Sequence, residues 1–271
     1  MLDPATCWVF FSGSLEERHA LDILFAVDVL KRSNVSPGQI HIFSPHESHG
    51  FFGTSPKAKL NDCIDFKPDY FKSIEASLVI ATTTGHGNHL GLAVRANGFV
   101  SPHTFLDTIR SCKNQKTAVG VICQCHAGVF NFMELTGSPE VLMIGATNFG
   151  NSISISVNPT LSDGSTVDWA ANAFLVFFFA WMIQPHDVDG DGAHGVLDAF
   201  KWASVNCEMN LLGRKVSSFK AAIEKVNEIP HLTGVDQQAA EQVLKNVTSF
   251  IFNHQESWLS HAKLARKILW Q

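Results

Sequence analysis

The chain has 271 residues, enough for one large α/β domain with a sizeable core and an appendage, but short for two full domains. Its 25 acidic and 20 basic residues leave a net charge of -5 and no polybasic run, which argues against nucleic acid as a partner. Six cysteines, at 7, 63, 112, 123, 125 and 207, are scattered through apolar stretches and suit reduced thiols rather than a secreted disulfide framework.

Residues 1–4 carry neither the basic nor the long apolar segment of a secretory signal, so a cytoplasmic location is expected. Residues 6–12 form a short, nearly all-apolar run, and 39–44, 78–83, 117–124 and 141–146 repeat the pattern, as strands covered on both faces should. Between the first two runs, 16–31 opens with acidic residues and carries Leu21, Leu24, Phe25, Val27, Val29 and Leu30, which predicts a crossover helix. Asn34, Pro37 and Gly38 then supply turn chemistry. A second helix is predicted over 102–112, with Ser101 as N-cap and Pro102 in the first helical position. The apolar run 173–183 falls well short of the roughly 20 residues that a membrane span needs, so it predicts a buried core helix and no membrane partner. This alternation predicts an α/β fold, a mostly parallel sheet in three layers, over 1–210. From 211 to 271 the chain is more polar, with helical spacing at Val216, Phe219, Ile223 and Val226 and again at Ala240, Val243, Val247 and Ile251. That predicts a helical appendage and a candidate surface for a protein partner.

The run that starts at Leu78 ends in Gly85-His86-Gly87. Parallel sheets place functional groups just past the carboxyl ends of their strands, and flanking glycines let backbone approach a ligand closely. His86 is therefore a candidate catalytic residue, against the competing reading of a surface-loop histidine, one of 13 in the chain. The run that starts at Thr117 ends in Gln124-Cys125-His126-Ala127-Gly128. A thiol there, opposite His86, would lose its proton to the imidazole and become a nucleophile, while backbone N–H groups near Gly87 and Cys125 could hold a developing oxyanion. Cys123 reads as a small buried hydrophobe. A zinc reading of Cys123, Cys125 and His126, with Cys63, lacks the spacing of zinc knuckles. His46 and His49 read as solvated loop residues.

The strongest linear motif is Asp187-Val188-Asp189-Gly190-Asp191-Gly192 with Asp198 in the twelfth position. Oxygens at positions one, three, five and twelve follow the calcium-loop pattern, so Asp187, Asp189, Asp191 and Asp198 are candidate Ca2+ ligands. The competing reading is a solvated turn: the twelfth residue is aspartate rather than glutamate, and His194 replaces the usual aliphatic eighth residue.

The order strand-Gly-His-Gly, then strand-Gln-Cys-His-Ala-Gly with the cysteine 39 positions after the histidine (125 minus 86), resembles the caspase/legumain clan of cysteine peptidases. The legumain branch is closest: Ser12-Gly13-Ser14 followed by Arg18-His19-Ala20-Leu21-Asp22 is similar to its opening, and Gly164 to Trp169 is similar to a stretch near its specificity pocket. The resemblance covers roughly 6–185. It implies a caspase-hemoglobinase fold, a cysteine endopeptidase acting on peptide or protein substrates, and a dyad of His86 and Cys125. It further implies an oxyanion site at Gly87 and the Cys125 amide, and a pocket holding Arg18 and Asp168. The chemistry needs no cofactor. Legumains carry glutamate two residues before the nucleophile, where this chain has Cys123, so an acceptor that asparagine needs is missing. Arg18 would tilt the pocket toward acidic or amide side chains. A non-catalytic or partner-activated scaffold on the same fold, and a peptide ligase, are the alternatives.

Overall fold

The computed structural model describes residues 6–45, 68–94, 98–251 and 255–270. Strand β1 (Thr6–Ser12) is buried throughout and leads to helix α1 (Glu17–Arg32), which turns Ile23, Val27 and Leu30 inward. Then come β2 (Ile40–Phe43), the short helix α2 (Pro68–Phe71) and β3 (Leu78–Thr84). A small antiparallel group, β4 (Gly87–Asn88), β5 (Gly91–Val94) and β6 (Gly98–Val100), precedes α3 (Pro102–Ile109). The predicted cap of α3 forms, since Ser101 Oγ accepts the Thr104 N–H at 3.1 Å. Strands β7 (Thr117–Cys123) and β8 (Glu140–Gly145) are followed by the antiparallel pair β9 (Ser154–Val157) and β10 (Trp169–Asn172). Helices α4 (Ala173–Ile183), α5 (Val196–Glu228) and α6 (Gly234–Ile251) come next, and the chain returns through β11 (Trp258–Leu259) and α7 (Ala262–Ala265).

The central sheet has six strands in the order β11-β8-β7-β3-β1-β2, all parallel except β11, which runs antiparallel to β8. Successive side chains of a strand face opposite ways, so β1 feeds two cores. Trp8 and Phe10 join Ile23, Val27, Phe178 and Phe179 on one face, while Cys7, Val9 and Phe11 join Phe71 and Phe105 on the other. Each large side chain buried this way contributes about 1.5–3 kcal/mol. Burial on both faces is also why the parallel strands are near-continuous apolar runs in the sequence. The α/β architecture with a mostly parallel sheet is thus what the sequence predicts.

Helix α4 is the predicted core helix, with Phe174, Phe178 and Phe179 fully buried. Among the described residues, no helix is long and apolar enough to cross a membrane. The tail differs in its limits from the predicted appendage. Helix α5 runs unbroken through residues 210 and 211, and α6 packs along it. Residues 258–270 instead belong to the sheet body: β11 extends the sheet, and Leu264, Ala265 and Ile268 are buried in the core around α4.

Candidate active site

In a parallel sheet the strand ends of one polarity share an edge, and here β1, β3 and β7 are neighbours in the order β7-β3-β1. The residues just past their carboxyl ends therefore meet: Cys125 after β7, His86 after β3 and Glu16 after β1. A cleft of about 350 Å³ forms there, lined by Arg18, His19, His86, Cys125, Ser152 and Asn172 among others. It brings together three of the predicted site residues, His86, Cys125 and Arg18.

Local backbone explains the approach. Gly85 takes φ +132°, a conformation that side-chain-bearing residues avoid, and so turns the chain out of β3. At Gly87 a Cβ would lie 2.0 Å from the Gln124 amide nitrogen and 2.6 Å from the Cys125 carbonyl oxygen. Only glycine lets the His86 segment close on the Cys125 segment in this way. The Ala93 N–H donates to the His86 carbonyl at 2.9 Å and fixes the histidine backbone from the other side. Past β7, His126 adopts a left-handed backbone, φ 57°, which costs a non-glycine residue roughly 1–2 kcal/mol. Its N–H donates to the Gly150 carbonyl at 2.8 Å, and the chain then turns into a 3-10 helix over Ala127–Phe132.

The electrostatics centre on Glu16. The His86 Nε2–H donates to the Glu16 carboxylate in a short bond, and Arg18 Nε donates to its other oxygen at 2.6 Å. Those two hydrogen bonds, His86 first, hold the Glu16 carboxyl down to about 2. With Nε2 committed to Glu16, Nδ1 is the ring nitrogen left to accept a proton. His19 packs edge-on against the His86 ring, with centroids 5.2 Å apart. Burial, and secondarily the charges of Arg18 and His86, push His19 down to about 3, so it is a neutral wall of the cleft. The proximity of Glu16, His19 and His86 is accounted for by this hydrogen bond and ring contact.

Cys125 is partly exposed, and its Sγ accepts the Ser152 N–H at 3.4 Å. Cys123 is fully buried in the core on the α4 side of the sheet, where desolvation raises its thiol well above the ordinary value. It therefore packs as a small hydrophobe. Asn172 ties the two walls together: its amide donates to the Cys123 carbonyl and to Ser152 Oγ, each at 3.0 Å, and its side-chain oxygen caps α4 at the Leu175 N–H. Beneath the cleft the Asp22 carboxylate accepts hydrogen bonds from Thr84 Oγ1 at 2.6 Å, Trp169 Nε1 at 3.0 Å and the Asn172 N–H at 3.1 Å. Burial nevertheless pushes Asp22 up to about 6.

Arg18 sits in the cleft, donating to Ser154 Oγ at 3.2 Å as well as to Glu16. Asp168 does not join it. That residue is exposed at the start of β10 and outside the lining of the cleft, and it is the next residue, Trp169, that turns inward to Asp22. The strand alternation of β10 sends neighbours to opposite sides. His19, Ser152 and Asn172 line the cleft, and Glu16 stands beside it on His86, without a role in the sequence analysis. His19 and Asp22 do lie within the Arg18-to-Asp22 stretch that carries the resemblance, but Glu16 has no motif to mark it. His46, His49 and Cys63 lie outside the described residues.

Of the four candidate calcium ligands, Asp187, Asp189 and Asp191 come together, with one oxygen of each within 4.8 Å of the others. Asp198 stays apart as a buried cap: its oxygens accept the N–H groups of Val188 and Asp189 and, at 2.8 Å, that of Gly195. Asp187 likewise takes the Gly190 and Gly192 N–H groups at 2.6 and 2.9 Å. Asp189 is met by cations of the chain itself, Arg266 at 3.3 Å and Lys201 at 3.4 Å. Three carboxylates suit a hard divalent cation, but these contacts already satisfy much of their charge. No protein-family model and no curated protein matches this chain, so the reading of the cleft rests on the residues just described.

Proposed function

We propose that the chain is a cysteine endopeptidase of the caspase/legumain type, on a three-layer fold of that kind. The observation that carries this reading is the order Cys125, His86, Glu16 across three adjacent strand ends, with His86 and Cys125 lining one cleft. Two apolar cores, one on each face of the sheet, support the three layers.

In this reading Glu16 fixes the His86 ring through Nε2, and His86 takes the Cys125 proton at Nδ1. The thiolate attacks the scissile carbonyl, His86 returns the proton to the leaving amine, and water hydrolyses the acyl-enzyme. The backbone amides of Gly87 and Cys125 are the candidate donors to the oxyanion. Arg18, placed in the cleft, favours an acidic or amide side chain before the cut. Ca2+ at Asp187, Asp189 and Asp191 would sit in the loop before α5, away from the chemistry, as a structural ion.

Mass spectrometry of a diverse peptide mixture incubated with the protein, with and without calcium, tests this. Cleavage by wild type and by Cys123→Ala but not by Cys125→Ala is the expected result, and product masses separate hydrolysis from ligation. Cleavage that survives Cys125→Ala would overturn the assignment. Calorimetric titration with calcium should show binding that Asp187→Ala abolishes.

A further inference from the structure

Helix α5 is 33 residues long, and from residue 205 onward its apolar side chains repeat with spacings of four and three. Val205, Leu212, Phe219 and Val226 form one row, and Met209, Val216 and Ile223 the other. That is an uninterrupted 3.5-residue repeat over three heptads, the first row at d and the second at a. All seven side chains are 47–69% exposed. The helix is not short of a neighbour, since α6 packs along it. Yet between 211 and 225 the positions of α5 withdrawn from solvent are Leu211, Ser218, Ala221 and Ala222 with Lys215 and Lys225. The helix thus turns small and polar residues inward and its large apolar ones outward. Isolated exposed apolar residues are ordinary on a protein surface, but an unbroken heptad stripe on one helix is the pattern of a seam made for another helix.

We infer that this stripe pairs with the same stripe of a second copy of this chain, antiparallel, in a two-fold symmetric dimer. An isologous contact needs one self-complementary surface, and the antiparallel register supplies it. It sets Met209 against Val226 of the second copy, Val216 against Phe219 and Ile223 against Leu212, so each of these layers joins an a residue to a d residue, while Val205 falls opposite Pro230 beyond the end of α5. A parallel register would stack Phe219 on Phe219 and Val216 on Val216, giving one crowded and one thin layer. Charge favours the same choice. Lys215 and Lys220 stand at g and e, and a parallel pair would bring Lys220 of one copy toward Lys215 of the other, whereas the antiparallel pair sets the exposed Lys220 beside Gly213. The paired stretch is about 25 Å long and about 10 Å wide, roughly 250 Å² per copy. Standard interfaces bury about 800 Å² per partner, so this contact makes a weak, reversible dimer. The inference stands independently of the peptidase reading.

Sedimentation equilibrium of the full chain, from about 1 to about 200 µM, tests it. The expected result is a mass that rises from 29.7 kDa toward twice that value. The double variant Leu212→Glu/Phe219→Glu should remain monomeric throughout, with an unchanged circular dichroism spectrum because both positions face solvent. Orientation is read by mild oxidation. Met209→Cys/Val226→Cys should form a covalent dimer, since the two positions lie about 25 Å apart within one helix and cannot join each other. A monomeric wild type at the highest concentration, or a dimer that survives the double glutamate variant, overturns the dimer. Crosslinking of Val216→Cys alone, without crosslinking of the paired variant, overturns the antiparallel register.

Discussion

The sheet body and the α5–α6 hairpin use the same kinds of residue in opposite senses. In the body, Trp8, Phe10, Phe178 and Phe179 are almost wholly removed from water between the sheet and α4. On α5, Leu212, Phe219 and Ile223 are about half exposed, and the withdrawn side of the helix is largely small or polar. Burial of apolar area is what offsets chain entropy. A region that keeps its apolar face inward is self-sufficient, and one that turns it outward is complete only when something covers it.

Paired substitutions of one residue type test that difference most directly. Phe178→Ala should cost about 3–5 kcal/mol in urea denaturation, a large part of the 5–15 kcal/mol a domain typically has. Phe219→Ala, measured at a concentration where the chain is monomeric, should stay within about 0.5 kcal/mol. Equal costs would break the comparison. Within the body, the cleft separates stability from function. Glu16→Gln removes the anion that orients His86 and should lower kcat about 10- to 100-fold, less than loss of a general base, while lowering the urea midpoint only slightly because the carboxylate is about half exposed. Full activity in that variant would remove Glu16 from the mechanism.

A smaller effect comes from Asp22. The folded chain holds its proton up to about pH 6, whereas the ordinary carboxyl value is 3.8. Between those values the native state binds more protons than the unfolded state, so this residue makes stability fall as pH rises through the window. Asp22→Asn keeps an acceptor for Trp169 and Asn172 and can donate to Thr84. Its stability should therefore depend less on pH between 4 and 6 than that of wild type, as followed by denaturation across that range. The smallest expected effect is at Asp189→Asn, which loosens Arg266 and Lys201. Arg266 is more than half exposed, which weakens its pair, but the Asp189 carboxylate is itself buried and also meets Lys201, so the loss should be about 1 kcal/mol. A shift in Tm of a few degrees at most should follow.

The body was readable wherever both sides of an element are buried. The runs at 6–12, 78–83 and 117–124 are mostly apolar because a parallel strand has no solvent face, and they correspond to β1, β3 and β7 almost residue for residue. Ser101-Pro102 marks the start of α3 because capping is a local interaction. The shortest strands left no such trace: β4 has two residues, paired with the neighbouring β5, and β11 has two, paired with the distant β8. The cleft divides in the same way. His86 stands out between two glycines at the end of an apolar run, and Cys125 because it ends another, two residues before Ala127-Gly128. Glu16 is an ordinary acidic residue at a helix start, and only the neighbouring of β1 and β3 sets it 70 positions away against His86. Asp168 illustrates the converse: strand alternation gives the inward place to Trp169. The 3.5-residue repeat of α5 is plain in the sequence, but whether it points inward or outward depends on where α6 lies.

The edge of the sheet at β8 carries a consequence for how the molecule is made. Its cover, Trp258 and Leu259, pairs with Gly145 and Ile144 across more than a hundred residues, and the absence of a side chain at Gly145 leaves room for the Trp258 indole. Contacts this far apart in sequence form late, because the intervening loop must close before they reward it. On the ribosome the strands from β1 to β8 emerge well before their last neighbour. Through that interval β8 presents an unpaired apolar edge, of the kind that templates intermolecular pairing. Chains that stop short of residue 258 should therefore be poorly soluble even though their parallel strands are all present.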